Sequence, residues 1–235
     1  MKRANVLEVY DDAYARDYDE TYISNPEVLP STVYQLALLR RLLSGASSWL
    51  DVACGTGFYL SALKEVPLRM GLDLSASMLE VARRRNPGIE LVHGSFLDPR
   101  HEWTDRWQAV TCMWWAYCLV ESVHEIEQLA ANLARWSAPH GFAFIPLCNP
   151  RRFSPGHLQL PSEDPARGGV QVTGVTWTWN EANGKTHRHM ISPLPEAMVE
   201  IFSAHFADVS IVTASDAEIP PGYWSADFLV ARAKR

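Results

Sequence analysis

The segment Trp49-Leu-Asp-Val-Ala-Cys-Gly-Thr-Gly-Phe-Tyr59 constrains the fold more than any other. Its first half, Trp49–Ala53, is an apolar run interrupted by one acid, the pattern of a buried strand. The chain then meets Gly55-Thr-Gly57, where glycine permits a sharp turn and puts no side chain between the backbone and a ligand. A helix is predicted over Thr56–Lys64. A second strand, Leu68–Asp73, ends on an acid sixteen positions after Gly57. An acid at such a place accepts hydrogen bonds from both hydroxyls of a ribose. The dinucleotide fingerprint asks for a third glycine at position 60, and this chain has Leu60. A ligand with an adenosine but no pyrophosphate therefore suits the turn better.

The alternation continues. A helix is expected from Ser75 to Arg85, with Ser77 and Glu80 as a capping box. Strands follow at Ile89–His93 and Trp107–Met113, then a helix over Val123–Ser137 and a strand at Phe142–Leu147. Strands alternating with helices argue for an α/β fold with a parallel sheet covered on both faces. Ahead of this core, Tyr10, Tyr14 and Tyr18 recur every four residues and share a helical face; Ser31–Leu43 carries a second helical stripe. Behind it, Pro150–Gly169 reads as loop. Val170–Trp179 and Lys185–Ser192 read as an antiparallel hairpin closed by a loop of about five residues, with a bulge at Gly174. Glu196–Phe206 is a helix, and Val209–Val212 and Phe228–Ala231 are the last strands. The expected organisation is one domain. Residues 1–44 form a helical cap, 45–149 the core, 150–195 a loop and hairpin lid, and 196–235 a closing helix and strands.

Composition narrows the partners. The 235 residues are 47% hydrophobic and carry a net charge of −6. That supports a real core and offers no basic footprint for nucleic acid. The four cysteines form no Cys-x-x-Cys pair and lie in apolar runs, so no metal site is expected and a reducing, cytoplasmic setting is. No apolar run is long enough to span a bilayer.

Val52-Ala-Cys-Gly-Thr-Gly57, Gly71-Leu-Asp-Leu-Ser75 with Met78, His93-Gly-Ser-Phe96 and Trp107–Met113 together resemble the class I S-adenosylmethionine-dependent methyltransferases. The resemblance covers about Tyr10 to Leu147. It implies a Rossmann-like, doubly wound sheet of seven mainly parallel strands with one antiparallel strand, here with the hairpin inserted after the fifth. It also implies S-adenosyl-L-methionine as cofactor and S-adenosyl-L-homocysteine as product. Ala53, Gly55 and Gly57 would lie along the methionyl part, with Cys54 in the same turn. Asp73 would hold the ribose, and Leu74 and Met78 would pack on the adenine. Ser95 and Phe96 would flank its edge, Met113 would offer backbone on the sulfonium side, and Tyr18 would close over the methionine end. Where the family commonly has Asp, this chain has Ser95, with Asp98 nearby.

The acceptor side is marked by aromatics. Trp115 and Tyr117 follow the fourth strand beside Trp114. Trp177 and Trp179 lie in the hairpin, and Tyr223 and Trp224 precede the last strand. Trp115, Tyr117 and Trp177 are candidate acceptor contacts, together with Arg151 after the fifth strand as an anion holder. Core packing is the alternative for each aromatic. Candidate catalytic residues are Tyr14, His124 and His189; alternate spacing puts His187 and His189 on one strand face. The expected activity is methyl transfer to a nitrogen or oxygen of a small molecule such as a metabolite, sugar derivative or natural product. A homodimer is left open. The alternatives are a non-transfer reaction such as cyclisation on the same cofactor scaffold, and a macromolecular acceptor, against which the charge argues.

Overall fold

A computed structural model of the chain describes residues 2–153, 172–219 and 226–235. Tyr223, Trp224 and most of the loop expected over Pro150–Gly169 lie outside the described residues. Three helices come first: α1 (Lys2–Val9), α2 (Asp12–Tyr22) and α3 (Leu29–Leu42). The core then alternates β1 (Ser48–Val52), α4 (Phe58–Ala62), β2 (Leu68–Asp73), α5 (Ala76–Arg85), β3 (Glu90–His93), β4 (Trp107–Cys112), α6 (Val123–Trp136) and β5 (Ser137–Leu147). After a short α7 (Pro150–Phe153) come β6 (Gly174–Asn180), β7 (Thr186–Pro193), α8 (Pro195–Ser203), β8 (Phe206–Thr213) and β9 (Asp227–Lys234).

Seven strands form one sheet in the order β3-β2-β1-β4-β5-β9-β8. Only β9 runs against its neighbours, pairing antiparallel with both β5 and β8. This is the Rossmann-like sheet expected. Beta1 is buried throughout, and its side chains alternate between two apolar layers. Leu50 and Val52 join Ile126, Leu129 and Phe202 on one side. Trp49 joins Leu39, Leu60 and Leu79 on the other. The chain winds outward from β1 to β3 and then returns to lay β4 on the other side of β1. That switch opens a crevice at the carboxyl ends of β1 and β4.

Three local expectations need correction. The cap of α5 is Ser75, whose hydroxyl accepts from the Met78 amide at 3.2 Å, because Ser75 is the last residue in extended conformation. Ser77 already lies in the helix and donates to Asp12. The hairpin β6–β7 exists, with its five-residue loop, but its bulge is not at Gly174. A Cβ on Gly174 would come within 2.9 Å of the Pro193 Cα, and its pairing with Pro193 is regular. The register instead slips where Trp177 pairs with Met190 and Trp179 with His187. The extra residue sits in β7, where His189 has φ +56°. The slip separates the two histidines: His187 is buried and His189 is exposed. They do not share a face.

Candidate functional site

The turn after β1 is built from left-handed backbone. Ala53 and Gly55 both have φ +54° and Gly57 has φ +69°. Such values cost an L side chain about 1–3 kcal/mol, and strained residues of this kind gather at ligand sites. The two glycines serve different ends. A Cβ on Gly57 would lie 2.4 Å from the Asn86 side chain, which donates to the Gly57 carbonyl at 3.0 Å. Gly57 therefore locks the turn against α5 and does not line the crevice. A Cβ on Gly55 would meet nothing within 4 Å. Gly55 leaves the backbone open to the cleft.

The cleft runs along the carboxyl edge of β1, β2, β3 and β4. Of the residues expected at a cofactor, it brings together Tyr18, Ala53, Cys54, Gly55, Asp73, Leu74, Met78, Ser95, Phe96 and Met113. Asp73 is pinned by backbone: Oδ2 accepts from the Gly55 amide and Oδ1 from the Ser75 amide, each at 2.8 Å. Burial pushes its carboxyl up, while these amides pull it down; burial prevails. Each oxygen keeps acceptor capacity for a further donor. Cys54 is a buried thiol pushed up by burial, and its sulfur fills the space beside Gly71, where a Cβ would come within 2.7 Å. Ser95 turns its hydroxyl to the Leu97 amide at 3.1 Å, and Asp98 accepts from the Ser95 amide at 3.2 Å. Asp98 thus braces the loop and does not stand in for Ser95 on the cleft wall.

The roof comes from the N-terminal segment. Tyr10 and Tyr18 line the cleft, and Met78 packs with Val9, Tyr14 and Ala15 beneath them. Asp19 fastens α2 onto the glycine turn: Thr56 donates to it at 2.6 Å, and Arg85 pairs with it while also donating to the Thr56 hydroxyl at 2.9 Å. Burial pushes the Tyr10 and Tyr18 hydroxyls well above their ordinary range.

The donor set fits an adenosyl sulfonium. An acid with free lone pairs stands beside an open glycine backbone, and apolar side chains (Leu74, Met78, Phe96) supply walls for a flat base. Asp51, under the sheet in β1, is buried with Oδ2 unpartnered among the described residues. Its other oxygen accepts from Thr111 at 2.6 Å, and burial raises the carboxyl to about 7.

Several expected contacts fall elsewhere. Tyr117 is fully buried, and its hydroxyl accepts from the Cys148 amide at 2.8 Å, so it belongs to the core. Trp115 packs against that same core with Trp177, whose indole donates to Ser192 at 2.8 Å. The residue that reaches the cleft is Trp114. Trp114 and Trp115 have φ of +48° and +57°, so strand alternation stops before them and cannot tell which faces in. Arg151 pairs with the exposed Glu196 at 2.8 Å. His124 lies in solvent on the first turn of α6, 3.1 Å from Glu127. His189 is exposed at the β7 bulge. Neither histidine lines the cleft. Tyr14 is buried, but its hydroxyl donates to Glu181 at 2.7 Å rather than entering the cleft.

Sequence reasoning missed Tyr10, Glu121 and Glu125 on the cleft, and it named Tyr14 and His187 without the Glu181, Tyr22 and Asn183 that join them. The four-residue spacing of the tyrosines pointed to Tyr10. Nothing local pointed to Glu181, a loop residue whose partners are far along the chain.

Comparison with known proteins bears on the family. Residues 50–141 match the family model of a methyltransferase domain. The chain is similar to the dTDP-3-amino-3,6-dideoxy-alpha-D-glucopyranose N,N-dimethyltransferase of Streptomyces fradiae, 37% identical over 147 residues. That match spans 62% of this chain but only 56% of that relative. It is 30% identical to the dTDP-3-amino-3,4,6-trideoxy-alpha-D-glucopyranose N,N-dimethyltransferase of Streptomyces venezuelae, over 87% of this chain and 85% of that protein. Among solved structures, CalS10, an amino pentose methyltransferase from Micromonospora echinaspora, superposes with a TM-score of 0.60. The match is 23% identical and covers 86% of this chain and 89% of that one. The carboxyl-edge cleft, the glycine turn with Asp73 and these likenesses place the chain in the class I S-adenosylmethionine-dependent methyltransferase family.

Proposed function

We propose that the protein transfers a methyl group from S-adenosylmethionine to the amine nitrogen of a small molecule of the amino-sugar type. The observation that carries this reading is the 30% identity to a sugar N,N-dimethyltransferase across 87% of the chain. The relatives' named activities favour nitrogen over oxygen as the atom methylated in this cleft. Its described lining offers Asp73, Glu121, Glu125, Cys54 and tyrosines, but no histidine or lysine. Burial pushes the Tyr10 and Tyr18 hydroxyls above their ordinary range, so neither is a ready source of a phenolate base. A neutral amine carries its lone pair already, and Glu121 or Glu125 would take the proton from an acceptor that arrives as an ammonium.

When bound, the cofactor supplies an electrophilic methyl on a sulfonium. The chain's part is placement. Asp73 would accept from the ribose hydroxyls, the Gly55 backbone would let the methionyl chain lie close, and Tyr18 would cover that end. Tyr10 and Trp114 would exclude water and set the approach of the amine. Alignment of nucleophile and methyl is worth several kcal/mol, roughly the scale that such positioning supplies. The acceptor amine would bring its own lone pair to that methyl, and the proton shed by the methylated product would pass to water.

The test is incubation with S-adenosylmethionine and a set of amino sugars, free and nucleotide-linked, read by mass spectrometry. The reading expects S-adenosylhomocysteine and N-methylated sugar in equal amounts, then a second methyl. Turnover of an acceptor with no S-adenosylhomocysteine released would favour a non-transfer reaction and refute it.

A further inference from the structure

Away from the cleft, Glu181 gathers donors from two distant parts of the chain. Its Oε1 accepts from the Tyr14 hydroxyl at 2.7 Å and from His187; its Oε2 accepts from the Tyr22 hydroxyl and, at 2.8 Å, from Asn183. The side chain is 2% exposed. His187 is stacked on Trp179, with ring centroids 5.1 Å apart, and edged by Tyr10 at 5.7 Å. Glu181 and His187 belong to the hairpin, and Tyr14 and Tyr22 belong to α2.

A buried carboxylate is costly unless donors surround it, and an apolar contact would hold two surfaces together as well. What the carboxylate adds is geometry: both tyrosine hydroxyls must sit at fixed points. Helix α2 needs that. Only Tyr14 and Ala15 of its eleven residues are buried, so apolar packing alone holds it weakly. Yet α2 carries Tyr18, which roofs the cleft. Its other polar fastenings reach elsewhere: Asp19 holds Thr56 and Arg85 at the glycine turn, and Asp12 accepts from Ser77 of α5.

We propose that Glu181 is a positioning residue for the cofactor: through Tyr14 and Tyr22 it sets α2 in the place from which Tyr18 covers the cleft. The inference rests on the reading that this cleft takes S-adenosylmethionine.

Two readouts test it, amide hydrogen exchange of the ligand-free protein and calorimetric titration of S-adenosylhomocysteine. In Glu181→Ala, the amides of α2 should exchange about tenfold faster while those of β1 to β5 stay unchanged. Affinity for S-adenosylhomocysteine should fall about tenfold. The KM for S-adenosylmethionine should rise while kcat at saturation changes less than about threefold. Glu181→Gln, which keeps an acceptor oxygen, should recover part of each loss. Tyr22→Phe, a milder change, should shift both readouts in the same direction by about threefold. It decides the matter should Glu181→Ala fail to fold. Unaltered α2 exchange, unaltered affinity with a loosened α2, or equal loosening of β1 to β5 would each overturn the proposal. A wild-type protein that ignores S-adenosylhomocysteine would instead defeat the cofactor reading on which it stands.

Discussion

The floor of the cleft and its roof are assembled by different kinds of contact. On the floor, Gly55 and Asp73 meet across 18 residues, and adjacent parallel strands bring them together through backbone pairing. In the roof, Tyr14 and Glu181 meet across 167 residues, through side chains alone. A floor made of strand ends and one left-handed turn is rigid and locally encoded. A roof made of a lightly buried helix clasped by two polar clusters can be repositioned by changing single residues. The family chemistry needs the first; the choice of acceptor is free to vary in the second.

The comparison breaks first at the two glycines. Gly57→Ala places a Cβ against Asn86 in a left-handed turn, and should cost about 2–5 kcal/mol in denaturant unfolding. Gly55→Ala meets only the backbone strain. It should cost about 1–2 kcal/mol, yet weaken cofactor binding because its methyl enters the cleft. Equal stability losses with equal binding would mean that the turn is a hinge for packing only.

Asp51 sharpens the account of the floor through pH. Its carboxyl rises from 3.8 to about 7 because burial penalises the charge. A raised carboxyl favours the protonated fold, so the unfolded state gains by ionising above pH 4. Stability should therefore fall as pH rises from about 4 to about 7. Asp51→Asn should remove that slope, stabilising the protein by up to about 4 kcal/mol at pH 8 and by little near pH 4. Thermal unfolding at both pH values checks this, and a gain that is independent of pH would contradict it.

Asp73→Ala should reduce S-adenosylhomocysteine affinity by about ten- to a hundredfold through lost charged hydrogen bonds, with kcat at saturation affected less. The smallest effects are expected at His124 and His189. Both are exposed and neither lines the cleft, so alanine at either should change kcat/KM by less than about twofold. A large loss at His124 would bring α6 into the acceptor site and blur the division between floor and roof.

The same division explains what could be read in the sequence. The floor was legible because its signals are local. The run Trp49–Tyr59 carries strand, turn and ligand-facing glycine within eleven residues, and Asp73 ends the next strand. The packing of Gly57 on Asn86 is not legible there, since it depends on how α5 lies and not on the turn itself. The hairpin was legible as a hairpin from its two runs and the loop between them. Its inner face was not, because one added residue at His189 reverses the alternation and turns His187 inward. Which of Trp114 and Trp115 faces the cleft is not legible for a similar reason: two successive left-handed residues follow β4, and no strand pattern survives them. Arg151 looked available in sequence because its partner, Glu196, lies 45 positions away.

The central claim is that the Gly55 turn and Asp73 together hold an adenosyl group. A crystal structure with S-adenosylhomocysteine tests it most directly. The account predicts both ribose hydroxyls within hydrogen-bond distance of the Asp73 carboxylate and the homocysteine chain lying against the Gly55 backbone. A ribose seated away from Asp73, or a ligand bound outside the carboxyl edge of β1 and β4, would contradict it.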